Sequence, residues 1–120
     1  MSFTRLNLEP FARGDDWAVR YTMTDENDNP IDINGYTYWM TLKTNANDPD
    51  PGIAQVNQVA SGTDATNGIV TLAFEASVTD NITPGTYNYD LQEVDDLGNV
   101  YTLLIGKVKV VKDITRSTIL

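Results

Sequence analysis

The sequence predicts an all-β fold, an antiparallel β-sandwich of about seven strands. Segments that alternate apolar and polar side chains recur along the chain, and clusters of Gly, Pro, Asn and Asp separate them at intervals of roughly 8–15 residues. No segment has the apolar period of an amphipathic helix. The 120 residues suffice for one hydrophobic core. We therefore expect residues 1–120 to form a single domain with short tails at both ends.

Four strands are expected in the first half of the chain, over residues 3–8, 17–24, 36–43 and 53–60. The first is short and the last is polar, which suits the edge of a sheet. In the second, Trp17 and Tyr21 share the face that we assign to the core. In the third, Tyr38 and Met40 share the inner face, so Trp39 is expected on the outer face.

Three strands are expected in the second half, over residues 69–75, 86–94 and 100–112. Val70, Leu72 and Phe74 of the first are expected to face inward. One helical turn is expected within residues 76–82, and a hairpin turn at residues 95–99. The last strand is long and apolar on both faces, and we expect a bulge near Gly106.

The strand at residues 86–94 is expected to lie at the centre of the fold. Its alternation puts Tyr87, Tyr89 and Leu91 on one face, directly after a turn at Pro84 and Gly85. A Tyr after such a turn resembles the tyrosine corner of Greek-key sandwiches, in which the hydroxyl group bonds to upstream backbone. This feature and the strand count favour an immunoglobulin-like sandwich with Greek-key order over a closed barrel.

Composition and charge exclude several classes of function. The sequence has no Cys and no His, which removes disulfides, thiolate zinc sites, Cys nucleophiles and imidazole general bases. The net charge of −9 repels nucleic acid and anionic lipid, so neither is expected as a partner. The apolar runs are too short to cross a bilayer, and the N-terminus lacks the apolar stretch of a secretory signal. We expect synthesis in a cytoplasm.

No motif in the sequence indicates catalysis. There is no nucleophile-elbow sequence, no phosphate-binding glycine loop and no pair of carboxylates in a recognisable acid/base setting. We predict that the protein is not an enzyme and has no resident cofactor.

Residues 25–30 are a candidate metal site. The order Asp-Glu-Asn-Asp-Asn-Pro resembles the calcium-binding linker of cadherins, and the oxygens of Asp25, Asn27, Asp28 and Asp32 suit a hard cation. The other interpretation is a solvated turn, because turns also favour Asp, Asn and Pro. We favour the turn and keep a calcium-dependent adhesion or carbohydrate-binding module as an alternative function.

Apolar side chains at outer positions predict a protein–protein interface. Trp39 lies among Thr and Lys side chains, and Leu103 and Ile105 lie opposite the inward residues of the last strand. The alternative is that the bulge near Gly106 places both sets in the core. Three apolar residues of the C-terminal tail suit docking on a neighbour: Ile114, Ile119 and Leu120.

Several segments together match the pattern of one protein family: residues 13–17, 24–36, 85–92, 98–106 and 108–116. In these segments the chain resembles small virion proteins of tailed bacteriophages, in particular the immunoglobulin-like N-terminal domain of upper baseplate proteins. The similar positions are mainly glycines and strand residues, so they specify a fold family better than a role.

The resemblance implies a structural, non-enzymatic role in a phage particle. An assembly or adaptor module at the tail, baseplate or neck is the first expectation, and a capsid decoration (cement) protein is the alternative. The implied partners are other virion proteins, with copies of the chain forming a homo-oligomer in a symmetric assembly. The implied location is the virion, after synthesis in the host cytoplasm.

Overall fold

The computed structural model describes residues 4–114 as two packed β-sheets, which confirms the all-β class. Two short helices, α1 (Gly62–Thr66) and α2 (Ala76–Thr79), precede and follow the sixth strand. No helix within residues 4–114 is long and apolar enough to span a bilayer. The strands in chain order are β1 (Thr4–Arg5), β2 (Phe11–Ala12), β3 (Trp17–Thr22), β4 (Thr37–Lys43), β5 (Ala54–Val59), β6 (Ile69–Phe74), β7 (Gly85–Val94) and β8 (Val100–Val111).

The larger sheet has the order β1-β8-β7-β4-β5, with β2 beside a later part of β8. Its long strands are antiparallel, whereas β1 and β2 run parallel to β8. The smaller sheet pairs β3 with β6 in antiparallel register. β7 therefore lies inside the larger sheet, as expected, and β5 forms one of its edges.

The core lies between the two sheets and is built from alternating residues. The inward positions predicted from the sequence are confirmed on β4, β6 and β7, where all nine residues are less than a tenth exposed: Tyr38, Met40, Leu42, Val70, Leu72, Phe74, Tyr87, Tyr89 and Leu91. Trp17 is half-buried against this core, with its ring stacked between those of Phe11 and Phe74. The aromatic ring of Trp17 thus covers the end of the core where β2, β3 and β6 meet.

The corner before β7 contains the expected hydrogen bond. The Tyr87 hydroxyl group donates to the carbonyl oxygen of Thr83. At the same end of the molecule, the hydroxyl group of the buried Thr79 in α2 donates to the Asp15 carbonyl oxygen at 2.6 Å. Both bonds satisfy polar groups that would otherwise be costly to leave unpaired away from water.

The bulge in β8 lies at Leu103, earlier than predicted. Leu91 of β7 pairs with Leu104, whereas the next residue, Gln92, pairs with Thr102, so Leu103 is the extra residue. An extra residue reverses the alternation of a strand. After the bulge, the even-numbered residues of β8 face the core and the odd-numbered residues face outward.

Gly106 is not itself the bulge residue, and its lack of a side chain allows the N-terminal segment to approach β8. A Cβ atom on Gly106 would lie 1.8 Å from the carbonyl oxygen of Leu6. That carbonyl accepts a hydrogen bond from the Tyr89 hydroxyl group at 2.6 Å, and the Leu6 amide donates to the Ile105 carbonyl at 2.9 Å. A side chain at this position would displace the segment that contains β1.

Other differences from the predicted elements involve short segments. Of the edge strand expected at residues 3–8, the described part contains only β1, and β2 was not predicted. The connection at residues 61–68, expected to consist of turns, contains α1. Two-residue strands and one-turn helices have too few residues to show a period, and tertiary contacts determine them.

Candidate functional site

An open groove of about 600 Å³ lies on the outer face of the larger sheet. It crosses β4, β7 and β8, and residues of the loop between β4 and β5 close one end. Its apolar lining includes Trp39, Val94, Val100 and Ile105. Ligand sites in proteins often have this size and combine apolar walls with a few polar groups.

Strand pairing brings the lining side chains to one face. Trp39 of β4 pairs with Gln92 of β7, and Thr41 pairs with Asp90. Asp90 pairs in turn with Ile105 of β8. Because directly paired residues point to the same side of a sheet, Trp39 and Ile105 border the groove on opposite sides, with the residues of β7 as its floor.

The floor of the groove is polar. The side-chain amide of Asn88 donates to the Thr44 carbonyl at 3.1 Å, and that of Gln92 donates to the Thr102 hydroxyl at 3.4 Å. Both bonds use the amide nitrogen. Within residues 4–114 nothing donates to the side-chain carbonyl oxygens of Asn88 and Gln92, so both oxygens can accept hydrogen bonds from a ligand.

Asp90 gives the floor a negative charge. Its carboxyl group is half-buried, and this burial is the main reason why its pKa is raised. The positive charge of Lys43 acts in the opposite direction and lowers the pKa, whereas the negative charge of Asp50 raises it further. Lys43 is itself paired with Asp50, with Nζ and Oδ1 2.9 Å apart at the end of the groove. No group in the described part of the chain donates a hydrogen bond to the Asp90 carboxylate. A ligand with hydrogen-bond donors would compensate for the water that this carboxylate has lost.

The structure brings two of the sequence-predicted interface residues together, Trp39 and Ile105. Leu103, which we expected on the outer face, packs instead against the core, because it is the bulge residue of β8. It lines a smaller inner cleft with Met23 and Leu104. Ile114 follows β8 and is 99% exposed. The remaining predicted contacts, Ile119 and Leu120, lie outside the described residues.

An apolar row at the far end of the outer face was missed by sequence reasoning. Val59 of β5, Val94 of β7 and Val100 of β8 are aligned through Thr37 of β4. Val59 and Val100 are 50% and 59% exposed. The three valines come from three different strands, and only the pairing register shows that they form one row.

The calcium candidates form a self-contained turn. The Asp25 Oδ1 atom accepts hydrogen bonds from the backbone amides of Asn27 and Asn29 at 2.9 and 3.0 Å. The Asp32 Oδ1 atom accepts from the amide and the side chain of Asn34. The hydrogen bonds lower the pKa of both carboxyl groups. Within residues 4–114 no three Asp, Glu, Cys or His side chains converge as metal ligands.

A second loop of the molecule has the same geometry as the calcium candidate. In residues 95–99 the Asp95 Oδ1 atom accepts from the amides of Leu97 and Asn99, as Asp25 does in residues 25–29. The fourth residue of each loop has a positive φ, 64° at Asp28 and 86° at Gly98. The resemblance to a calcium motif therefore has a local cause, since this type of turn uses Asp at its first position and Asn at its fifth.

Comparison with known proteins assigns no family. No family model matches the chain, and no curated protein is significantly similar to it. Among solved structures, a family 123 glycoside hydrolase from Clostridium perfringens aligns with 94% of this chain and 24% of its own length, at 17% identity and a TM-score of 0.38. A 2,6-sialyltransferase from a Photobacterium species aligns with 92% of this chain and 18% of its own length, at 11% identity and a TM-score of 0.35. The chain spans a quarter or less of these proteins, and such TM-scores do not establish a shared fold.

Proposed function

We propose that the protein is an immunoglobulin-like, Greek-key sandwich that serves as a structural, non-enzymatic module of a tailed-bacteriophage virion. The strand order β8-β7-β4-β5 against β3-β6, with β2 parallel to β8, corresponds to strands G-F-C-C′ against B-E of that fold. The hydrogen bond of Tyr87 at the corner supports the same assignment. The segments that resemble upper baseplate proteins support the virion role.

The open outer face is the observation on which this role rests. The smaller sheet covers the inner face of the larger sheet, and within residues 4–114 no second sheet covers the outer face. Trp39 and Ile105 border the groove on this face, and the valine row continues the apolar surface. Aromatic side chains surrounded by polar groups are typical centres of protein–protein interfaces. We therefore place the assembly contact on this face and add Ile114, Ile119 and Leu120 of the tail.

We place the module first at the tail, baseplate or neck, and second on the capsid surface as a decoration protein. In either position, copies of the chain contact other virion proteins within a symmetric assembly. The net charge of −9 is compatible with both, since it disfavours contact with packaged DNA.

Quantitative mass spectrometry of purified particles tests this role, with the major capsid protein as the internal reference. A copy number close to that of the capsid protein indicates a decoration protein. A copy number typical of a small ring indicates the neck, tail or baseplate. Absence of the chain from clean particles contradicts the virion role.

Incorporation of variants tests the contact surface. We expect particles to lose the chain when Trp39→Ala or Ile105→Ala is introduced, because both truncate the walls of the groove. Val78→Ala is the matched control, since Val78 is an exposed apolar residue, 41% exposed, outside the groove. Equal incorporation of all three variants would place the contact elsewhere.

Carbohydrate binding in the same groove is the second candidate function. The observation in its favour is the combination of an aromatic wall at Trp39 with hydrogen-bond acceptors at Asn88, Asp90 and Gln92. The apolar side of a sugar ring packs on aromatic faces, and its hydroxyl groups donate to carboxylates and amide oxygens. Titration with maltotriose, cellotriose and chitotriose, followed by NMR, tests it. Chemical-shift changes at the Trp39 indole N–H support binding, and their absence with all three sugars contradicts it.

A further inference from the structure

Within residues 4–114, β5 has β4 as its neighbour on one side and no paired strand on the other, so it forms an edge of the larger sheet. The amide of Ala60 donates to the Tyr36 carbonyl across this ladder at 2.8 Å, which sets the alternation of hydrogen bonds along β5. Since alternate residues of an antiparallel strand bond to opposite sides, the N–H and C=O groups of Gln55, Asn57 and Val59 point away from β4. Within residues 4–114 these groups form one hydrogen bond, which the Gln58 side-chain amide donates to the Val59 carbonyl at 3.1 Å.

In the part of the chain that the structure describes, this edge lacks the usual protection against pairing with another chain. Proteins protect exposed edges with Lys, Pro, short strands or covering segments. The six residues of β5 include no charged residue and no Pro, and Asn57, Gln58 and Val59 are exposed. An unprotected strand of this length is a template for adding a further strand.

The other edges of the two sheets are better protected. At the opposite edge of the larger sheet, the amides of Leu6 and Leu8 donate to carbonyls of β8, and β1 and β2 lie along that strand. In the smaller sheet, β3 has the exposed, charged Arg20 near its centre. β6, its partner, is contacted by α1.

We propose that β5 pairs antiparallel with β5 of a second copy of this chain, so that the larger sheet continues across a two-fold axis. The proposal rests on the function proposed above and identifies one partner in that assembly. A second copy fits this edge because antiparallel pairing of a strand with itself is self-complementary, as two-fold symmetry requires. The uncharged edge also lets two acidic molecules meet without placing like charges opposite each other on the paired strands.

The direction of the free groups also selects the register. Hydrogen-bonded pairs form between residues whose N–H and C=O groups face the edge. With Asn57 on the two-fold axis, Asn57 pairs with its own copy, and Gln55 pairs with Val59 in both directions. This register uses all three outward residues of each strand, whereas a shifted register leaves some unpaired. In the single chain the Gln58 side-chain amide donates a hydrogen bond to the Val59 carbonyl. In the dimer this bond is given up, and the carbonyl accepts from the partner strand instead.

Pairing at β5 would place two grooves on one side of the assembly. A two-fold axis perpendicular to the sheet keeps both outer faces on the same side. Gln55, next to Thr41 and hydrogen-bonded to it at 3.0 Å, lines the groove close to this edge. A partner bound in one groove is then held close to the other groove. The high effective concentration of this second groove raises the affinity of a partner that occupies both.

Sedimentation equilibrium of the purified chain over a wide concentration range tests the pairing. We expect a reversible dimer. Asn57→Lys puts two like charges on the axis and should raise the dissociation constant by at least about tenfold. Thr71→Lys is the matched control, because it adds the same charge at an exposed position in the middle of β6. This variant should dimerise like the wild type.

Hydrogen exchange on the wild type provides a second measurement that needs no variant. The amides of Gln55 and Asn57 should become protected from exchange as the protein concentration rises. The protection of the amide of Val56, which lies between them, should not change. A chain that stays monomeric at every concentration overturns the proposal, as does a dimer that Asn57→Lys leaves intact. A dimer in solution with no chain in phage particles would contradict the virion role alone, and a monomeric chain found in particles would contradict the pairing alone.

Discussion

The two faces of the larger sheet differ in what their side chains contact. On the inner face, Met40 and Leu91 have no exposed surface, because the smaller sheet covers them. On the outer face, Trp39, Asp90 and Gln92 are half-exposed around the groove. Both sets alternate along the same strands and share one backbone geometry. Burial against a second sheet, rather than strand propensity, distinguishes the two sets, and we therefore expect the inner set to contribute most to stability.

Truncation of one residue on each face should give the largest contrast. Leu91→Ala leaves a cavity in the closed core and should lower the free energy of unfolding by about 3 kcal/mol. Trp39→Ala should change it by less than about 1 kcal/mol, since its ring contacts solvent on one side. Urea denaturation followed by circular dichroism measures both. Similar losses for the two variants would mean that the outer face also supports the fold.

The corner bond allows a smaller test on the inner face. Tyr87→Phe removes the hydroxyl group that donates to the Thr83 carbonyl and should lower the free energy of unfolding by about 1 kcal/mol. Tyr101→Phe is the control, since Tyr101 is a half-buried tyrosine of β8, and it should stay within about 0.5 kcal/mol of the wild type. Urea denaturation also measures this difference. Equal free energies of unfolding for the two variants would mean that the corner hydrogen bond does not stabilise the fold.

The charge on the outer face should produce a pH dependence. Burial raises the pKa of Asp90 in the folded state above its ordinary value of 3.8. In the window from that value up to the raised pKa, the folded state binds more protons than the unfolded state, so stability falls as pH rises. Asp90→Asn should remove this fall. The free energy of unfolding of the variant should therefore increase relative to that of the wild type as pH rises through the window.

Denaturation at a series of pH values measures the effect of Asp90. Asp28→Asn is the matched control, because it makes the same change of charge in an exposed loop that lies outside the groove. Parallel stability curves for Asp90→Asn and the wild type would mean that the carboxyl group is as well hydrated as an ordinary surface group.

The smallest effect is expected at the loop that resembles a calcium site. Thermal melting with calcium and with a chelator should give the same midpoint, because the Asp25 and Asp32 carboxylates are engaged by amides of their own loops. An ion that binds the folded state would raise the midpoint. A rise with calcium would restore the calcium-dependent adhesion module as an alternative, and Asp25→Asn should then abolish it.

Sequence reasoning was most successful where a pattern of period two spans a whole strand. The inward residues of β4, β6 and β7 were predicted individually, and so was the turn that places Tyr87 at its corner. It predicted a bulge in β8 but not its exact position, because Leu103, Leu104 and Ile105 are all apolar and no alternation marks the extra residue. It also missed β2, which forms through pairing with a strand about a hundred residues later in the chain.

The candidate site was predicted in part. Trp39 and Ile105 were identified as outer residues, yet nothing in the sequence indicated that they border one groove. Asp90 and Gln92 of β7 had no predicted role. Their part in the groove depends on the pairing of β7 with β4 and β8. In contrast, the five-residue loops at Asp25 and Asp95 are local, so the turn preferred in the sequence analysis agrees with the geometry found.

Local sequence patterns were sufficient to predict the all-β class, the inner faces of β4, β6 and β7 and the hairpin turn before β8, because each depends on residues close together in the chain. Three further features could be recognised only in the folded chain: the position of the bulge, the approach of the N-terminal segment at Gly106 and the groove between Trp39 and Ile105. These features depend on the register between distant strands. A shift by one residue exchanges the two faces of a strand, and only the packing of the complete chain fixes that register.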